Sequence, residues 1–516
     1  MDTSSRLLET IDRLDAADDA AAFLRFVQDE SHDPNELVYA VYHLLSKTQF
    51  RSAYLLATVL ISKGIYNPFL SIALCLGGLI FKNPTHQAHG LHTLSSQAPA
   101  LLESQPALHA HICSKILDPA VMQLLATALA HSDSEQVLHV LDILKAFVPQ
   151  FRTIFDWDAP VPEFSLAAMR QRGEETKSRL IHYPQPPAGT PLPRRVLVVF
   201  RECVFPSKPW SRLSNEGPRM VAAMKAYGWQ TDYYPLRGKD LFEEGLGIIE
   251  VCRQKQIELL FLDDDIMMKV APLRTELIAR LRALNPAMKI VGCLLDAWEP
   301  EPEDLKQSTA LVDRVWTVDA PSRPIWADPA HAHKIIHRTF PHLAGNCRTP
   351  QGELTDQATF FGSLSGFNWH RVLWVSAFER AKLPVKSCVA THKEDGLSAL
   401  DNYAAYMQSL AEEKCCINLT MRANQYCVVT FRSFETLQSG ALLLQEHSEN
   451  MYRYFIPGEH YLEFSTLAEL AGLLRFVRTH REEAEAVRQR GNAFAREHYN
   501  DGKLIGCIEK SLYFPD

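Results

Sequence analysis

At 516 residues the chain has room for two to four domains, and its 47% hydrophobic and 22% charged residues are ordinary globular values, so each domain can bury a core. A net charge of −8 without a Lys/Arg-rich run excludes the electrostatic footprint of a nucleic-acid binder or a polybasic membrane contact. Eleven cysteines are scattered with no CxxC pair, which argues against a zinc site or a disulfide framework and fits a reducing cytoplasm.

The chain starts "MDTSSRLLETIDRLDAADDAAAFL", which is acidic and lacks the basic stretch that precedes the apolar core of a secretory signal. From there to about Leu180, segments such as "NELVYAVYHLLSK", "FRSAYLLATVLISKG" and "SEQVLHVLDILKAFV" space apolar residues three and four apart, between Gly, Asn, Pro or Ser/Asp breaks. Residues 1–180 are therefore expected to be an all-α domain of short antiparallel helix pairs, similar in style to a tetratricopeptide solenoid but without a firm period of about 34 residues. Such a domain either grips a protein partner or caps the rest of the chain. The longest apolar run, Phe69 to Phe81, is too short to span a bilayer and is expected as a buried helix. The segment "IHYPQPPAGTPLP" (Ile181 to Pro193) carries five prolines in thirteen residues, which forbids helix and predicts a stiff linker.

After the linker, strand-like and helix-like segments alternate. "RRVLVVF", "QTDYYPL", "IELLFLD", "KIVGCLLD" and "DRVWTVD" are expected strands with helices between them, giving a doubly wound parallel lobe over 194–350. A second such lobe, over 351–516, has expected strands "ATFFGSL", "PVKSCVA", "CCINLT" and "GALLLQE", and the chain closes with the charged helix "THREEAEAVRQRGNAFAREHY". Two tandem lobes of this kind leave a cleft facing the carboxyl ends of their sheets, where ligands of such sheets bind.

The chemistry concentrates in the second lobe. "TFRSFETLQSGALLLQE" (Thr430 to Glu446) reads as a loop, a short helix, a glycine stop and a buried strand. A helix start offers free N–H groups and the positive end of a dipole, so a phosphate fits there. Thr430 and Ser433 add hydroxyl donors, and Arg432 can pair with a phosphate oxygen. A bland alternative is that Arg432 and Glu435 form a surface i, i+3 ion pair, worth about 0.2–0.5 kcal/mol. In "FFGSLSGFNWHR", Gly362, Ser363 and Gly366 form a small-residue turn after the lobe's first strand, so backbone can approach a phosphate, and Arg371 opens the next helix. His370 is expected on that helix's surface.

The segment "CCINLTMRANQYCVVTFRSFETLQSGALLLQE", with the later "FIPGEHYLEFSTLAELAGLLRFV" and "GNAFAREHY", resembles the carboxyl-terminal lobe of two-lobed (GT-B fold) glycosyltransferases, most closely the CgeB-like branch. The resemblance covers about 355–500, and by lobe pattern alone 194–345. It implies a nucleotide diphosphate sugar as donor substrate, with Glu435 accepting two hydrogen bonds from ribose hydroxyls. It departs from the pattern of many retaining members, Glu-x7-Glu, because the first glutamate is replaced by Cys427. The retaining mechanism is therefore not carried over.

The first lobe is expected to hold the acceptor. Asp263 and Asp265 in "FLDDD" spell Asp-x-Asp, a metal motif of single-lobe glycosyltransferases, but in a two-lobed enzyme helix dipoles and basic side chains neutralise the leaving phosphate, so no metal is expected. Asp296 in "LLDAWEP", at the end of a central strand, is the candidate general base, with helix capping as its alternative. Arg201, Trp210 and Asn215 border the same side. The leading expectation is a cytoplasmic glycosyltransferase without a cofactor, and analogy with helical-repeat glycosyltransferases suggests a protein acceptor such as bacterial flagellin. A nucleotide-sugar epimerase on the same scaffold and a non-catalytic scaffold protein are the rivals.

Overall fold

The computed structural model describes residues 3–29, 32–117, 120–125, 134–188, 194–204, 212–237, 240–263, 266–267, 271–294, 302–318, 326, 328–346, 353–362, 364, 369–389, 399–420 and 429–514. Its first part is all-α: α1 (Thr3–Ala16), α2 (Ala20–Gln28), α3 (Pro34–Ser46), α4 (Phe50–Ser62), α5 (Pro68–Ile80), α6 (Pro84–Ser104), α7 (Pro106–Ile112), α8 (Ser134–Phe147), α9 (Pro149–Ile154) and α10 (Leu166–Thr176). Three of these starts follow one local rule. Asp33, Asn67 and Asn83 each accept a hydrogen bond from a backbone N–H of the first turn, and a proline occupies the next position, where its missing N–H costs nothing. The α5–α6 pair packs backbone to backbone, since a Cβ at Gly78 would come within 2.6 Å of the Gln87 amide nitrogen. Residues 157–165 are not helical, which interrupts the expected run to Leu180. They include "APVPE" (Ala159 to Glu163), whose two prolines remove donors a helix needs.

The first lobe contains β1 (Arg195–Arg201), the antiparallel pair β2 (Cys203–Val204) and β3 (Arg212–Leu213), α11 (Glu216–Tyr227), β4 (Gln230–Leu236), α12 (Leu241–Lys255), β5 (Leu259–Leu262), α13 (Ala271–Leu284), β6 (Lys289–Leu294), α14 (Pro302–Leu311), β7 (Arg314–Thr317), the single turn α15 (Pro329–Ala332) and β8 (Ile335–His337). Its main sheet is parallel in the order β4-β1-β5-β6-β7-β8. Val196 to Phe200 are all buried on β1, the continuous apolar run of a strand covered on both faces.

The second lobe contains β9 (Ala358–Gly362), α16 (Trp369–Arg380), β10 (Val385–Val389), α17 (Ala399–Glu413), β11 (Cys415–Asn418), α18 (Phe431–Ser439), β12 (Leu442–Glu446), β13 (Leu462–Phe464), α19 (Leu467–Thr479), α20 (Arg481–His498) and α21 (Asp501–Tyr513). Its parallel sheet runs β10-β9-β11-β12-β13. The expected fold class, two Rossmann-like lobes behind a helical domain, is what forms.

Three connections tie these parts together. Phe155 meets Trp374 of α16 edge to face at 4.8 Å between ring centroids, Phe151 lies 5.8 Å from Trp369, and one continuous apolar core runs from the helical domain into the second lobe. The expected linker is strapped down over its described residues: the Ile181 N–H donates to Arg453 O at 2.8 Å, and Tyr183 is buried against Tyr499. The last helix, α21, leaves the second lobe and packs on α11 of the first, where Tyr227 donates to Glu509 at 2.9 Å. No helix among the described residues is long and apolar enough to cross a membrane.

Candidate functional site

The second sheet has the order 2-1-3-4-5, so the strand connections reverse direction between β9 and β11, and the crevice lies outside the carboxyl ends of those two strands. β9 ends at Gly362 and β11 at Asn418. The chain re-enters the described part at Val429, and α18 starts behind Thr430, whose side chain makes no capping bond to it. Among the described residues, the first turn of α18 is thus left without a cap from its own N-cap side chain at the crevice. Gly440, at φ +93°, ends the same helix in the left-handed conformation that glycine adopts without strain.

The hydroxyls of this helix start turn inward. Thr430 Oγ1 donates to Asn418 Oδ1 at 3.1 Å; Asn418 Nδ2 donates to Ser433 Oγ and to Gln445 Oε1, both at 2.9 Å; and Ser433 Oγ donates to Gln445 Oε1 at 3.1 Å. Ser433 is fully buried. A hydroxyl has one proton to donate. In this arrangement both hydroxyl protons are used inside the lobe, where they hold α18 against β11 and β12.

Arg432 points the other way. Its Nη1 donates to Phe361 O, at the end of β9, and its Nε to the Tyr406 hydroxyl on α17 at 2.9 Å. This brings Arg432 beside Gly362, as the topology predicts. Glu435 does not pair with Arg432 on the surface; it is only 5% exposed. Its Oε1 accepts from Tyr403 at 2.9 Å and from Arg219 Nη1 of α11 at 3.2 Å, and its Oε2 accepts from Tyr406 at 3.0 Å. A carboxylate has about four acceptor positions, so with three occupied Glu435 keeps one open. Burial raises both tyrosine pKa values above their ordinary range, so both phenols stay protonated as donors. His342 stands 3.9 Å from Glu435 with its pKa held well below the usual imidazole range, by burial first and by Arg219 second, so it is neutral.

Other expected residues divide in two. Asp296, Ser363 and Gly366 lie outside the described residues, as do Asp264, Asp265, Trp210 and Cys427. Among the described ones, Asp263 is buried at the end of β5 and paired with Arg201 at 3.0 Å, a bond that also fixes the end of β1. Arg371 is buried in the first turn of α16. His370 is also buried, not on the helix surface as expected, and the helical domain packs on α16. Arg219, Tyr403 and Tyr406 were not legible as site residues. Only the i, i+3 spacing of the two tyrosines on a helix hinted at a shared face.

Residues 360–503, from within β9 to the start of α21, match the glycosyl transferase-like family. No curated protein matches the sequence. Several solved structures are similar. Sucrose-phosphate synthase from Thermosynechococcus elongatus is 10% identical over 63% of this chain and 100% of its own, with a TM-score of 0.40. Anabaena HepE in complex with UDP and glucose is 10% identical over 62% of this chain and 100% of its own, at 0.42. A mutant O-GlcNAc transferase of Thermobaculum terrenum is 13% identical over 98% of both chains, at 0.30. TM-scores of this size carry no mechanistic weight. The matched segment lies within the second lobe, and the match supports a transferase.

Proposed function

We propose that the chain transfers a sugar from a nucleotide diphosphate sugar to an acceptor hydroxyl. The observation that carries this reading is the convergence, inside the segment that matches the glycosyl transferase-like family, of the start of α18, whose N-cap Thr430 makes no side-chain capping bond, Arg432 and the end of β9 at the switch point of the sheet. In this reading the diphosphate lies across Gly362 and the first turn of α18, with Ser363, Gly366 and Arg371 on the β9–α16 side and Thr430 supplying backbone. The helix dipole and the Arg432 guanidinium meet the charge that develops on the leaving phosphate, without a metal. Glu435 offers its remaining acceptor position to the ribose. Asp296 is the proposed base that takes the proton of the acceptor hydroxyl.

The helical domain is the proposed contact for a protein acceptor, with flagellin as an example, and the cytoplasm the proposed compartment. Calorimetric titration of the folded protein with UDP, GDP and CMP tests the donor site. Saturable binding of one of them is expected; no heat with any of the three overturns the reading.

A further inference from the structure

The links between the lobes lead back to the donor side. Arg219 is 1% exposed, and its guanidinium lies 4.2 Å from the Tyr403 ring centroid, with Phe340 and Phe431 on its other sides. From it a chain of contacts crosses the molecule. Arg219 Nη1 donates to Glu435 Oε1 at 3.2 Å, Tyr406 donates to Glu435 Oε2 at 3.0 Å, Arg432 Nε donates to the Tyr406 oxygen at 2.9 Å, and Arg432 Nη1 donates to Phe361 O. Two guanidiniums thus flank one buried carboxylate. Glu216 and Asp501 also face Arg219, but Glu216 accepts from Ser214, and Asp501 from the backbone N–H groups of His342 and Leu343.

A buried carboxylate draws on whatever cation is nearest, because the surrounding medium screens it weakly. With Arg219 in place, the charge of Glu435 is met from the first lobe, and the charge of Arg432 is left for an anion at the crevice. Without Arg219, Arg432 is the cation closest to Glu435 along the chain of contacts, and its field toward the crevice is cancelled.

We infer that Arg219 is a positioning residue for diphosphate binding: it neutralises Glu435 from the first lobe and so reserves Arg432 for the phosphates, which makes donor binding depend on contact between the lobes. The inference rests on the donor-site reading given above.

The test is a double-mutant cycle read by calorimetry on the full chain, with UDP and GDP as probes and UMP and GMP as their monophosphate controls. Arg219→Met is expected to weaken diphosphate binding about ten- to a hundredfold, the scale of one charge-assisted contact, and monophosphate binding less. In the Glu435→Gln background, where no carboxylate competes for Arg432, adding Arg219→Met is expected to change diphosphate affinity by less than about threefold, since coupled pairs are the ones that fail additivity. Arg219→Lys, which keeps the charge, is expected to retain most of the affinity. Thermal melting of each variant establishes that it is folded. Should Arg219→Met not fold, the comparison of Glu435→Gln with Arg219→Met/Glu435→Gln and the Lys variant carry the test. Equal losses from Arg219→Met in both backgrounds, or a folded Arg219→Met that binds like wild type, overturn the inference while leaving the donor site intact. Wild-type protein that binds neither diphosphate overturns the donor site and this inference together.

Discussion

Arg219 Nη1 on the first lobe lies 3.2 Å from Glu435 Oε1 on the second, with both side chains buried. Taking two charges out of water is costly, and the pair is supported by Tyr403 and Tyr406, which fill two further acceptor positions of the carboxylate. Removing one partner leaves the other buried and unpaired. Arg219→Leu alone is expected to cost about 3–5 kcal/mol in equilibrium denaturation, and Arg219→Leu/Glu435→Leu clearly less than the sum of the single variants.

Arg432 and Ser433 are neighbours in sequence with different environments, and their variants should separate. Arg432→Ala is expected to weaken nucleoside diphosphate binding by about 1.5–3 kcal/mol in a calorimetric titration. Ser433→Ala is expected to leave that affinity within twofold and to lower stability by about 1 kcal/mol, because its hydroxyl bonds inside the lobe to Asn418 and Gln445. A selective loss of nucleotide affinity in Ser433→Ala would return its hydroxyl to the phosphate site.

Stability should fall on acidification through buried histidines. His460 is buried, stacks on Phe494 at 4.0 Å between ring centroids, and accepts the Ile456 N–H on Nδ1 at 3.1 Å; burial, with Arg490 next, pushes its pKa down to about 3. The unfolded chain binds this proton near pH 6.5 and the folded chain does not, so the stabilisation is complete above that pH and is lost progressively as pH falls toward about 3. His342, held neutral in the same way, adds to the loss. His460→Asn keeps an acceptor for the Ile456 N–H and removes the titration. Its denaturation midpoint is expected to depend less steeply on pH between about 4 and 6 than that of the wild type.

The seam between the helical domain and the second lobe should be strong. Phe155 is 1% exposed and packs edge to face on Trp374, whose Nε1 donates to Glu446 at 2.9 Å. Phe155→Ala is expected to cost about 3–5 kcal/mol. Limited proteolysis should then cut between residues 157 and 165 faster than in the wild type, and unchanged cleavage would mean that the domain is held elsewhere.

Local chemistry in the sequence determined much of this protein. The Asx-Pro helix starts, the apolar run of β1 and the glycine that closes α18 depend on neighbours a few residues away, and each is legible in the order of residues. The same holds for Arg432 at a loop-to-helix step beside the sheet's switch point. Two edge strands, β8 and β13, escaped because three residues have no usable periodicity. Which groups face one another was decided by tertiary structure. The burial of His370 in α16 was not readable from its own segment, and the partner of Glu435 lies 216 residues away in the other lobe. The inward turn of the Thr430 and Ser433 hydroxyls needed Asn418 and Gln445 to be brought alongside by β11 and β12. A sequence fixes which donors and acceptors exist; desolvation during packing decides which of them must satisfy each other and which are left for a ligand.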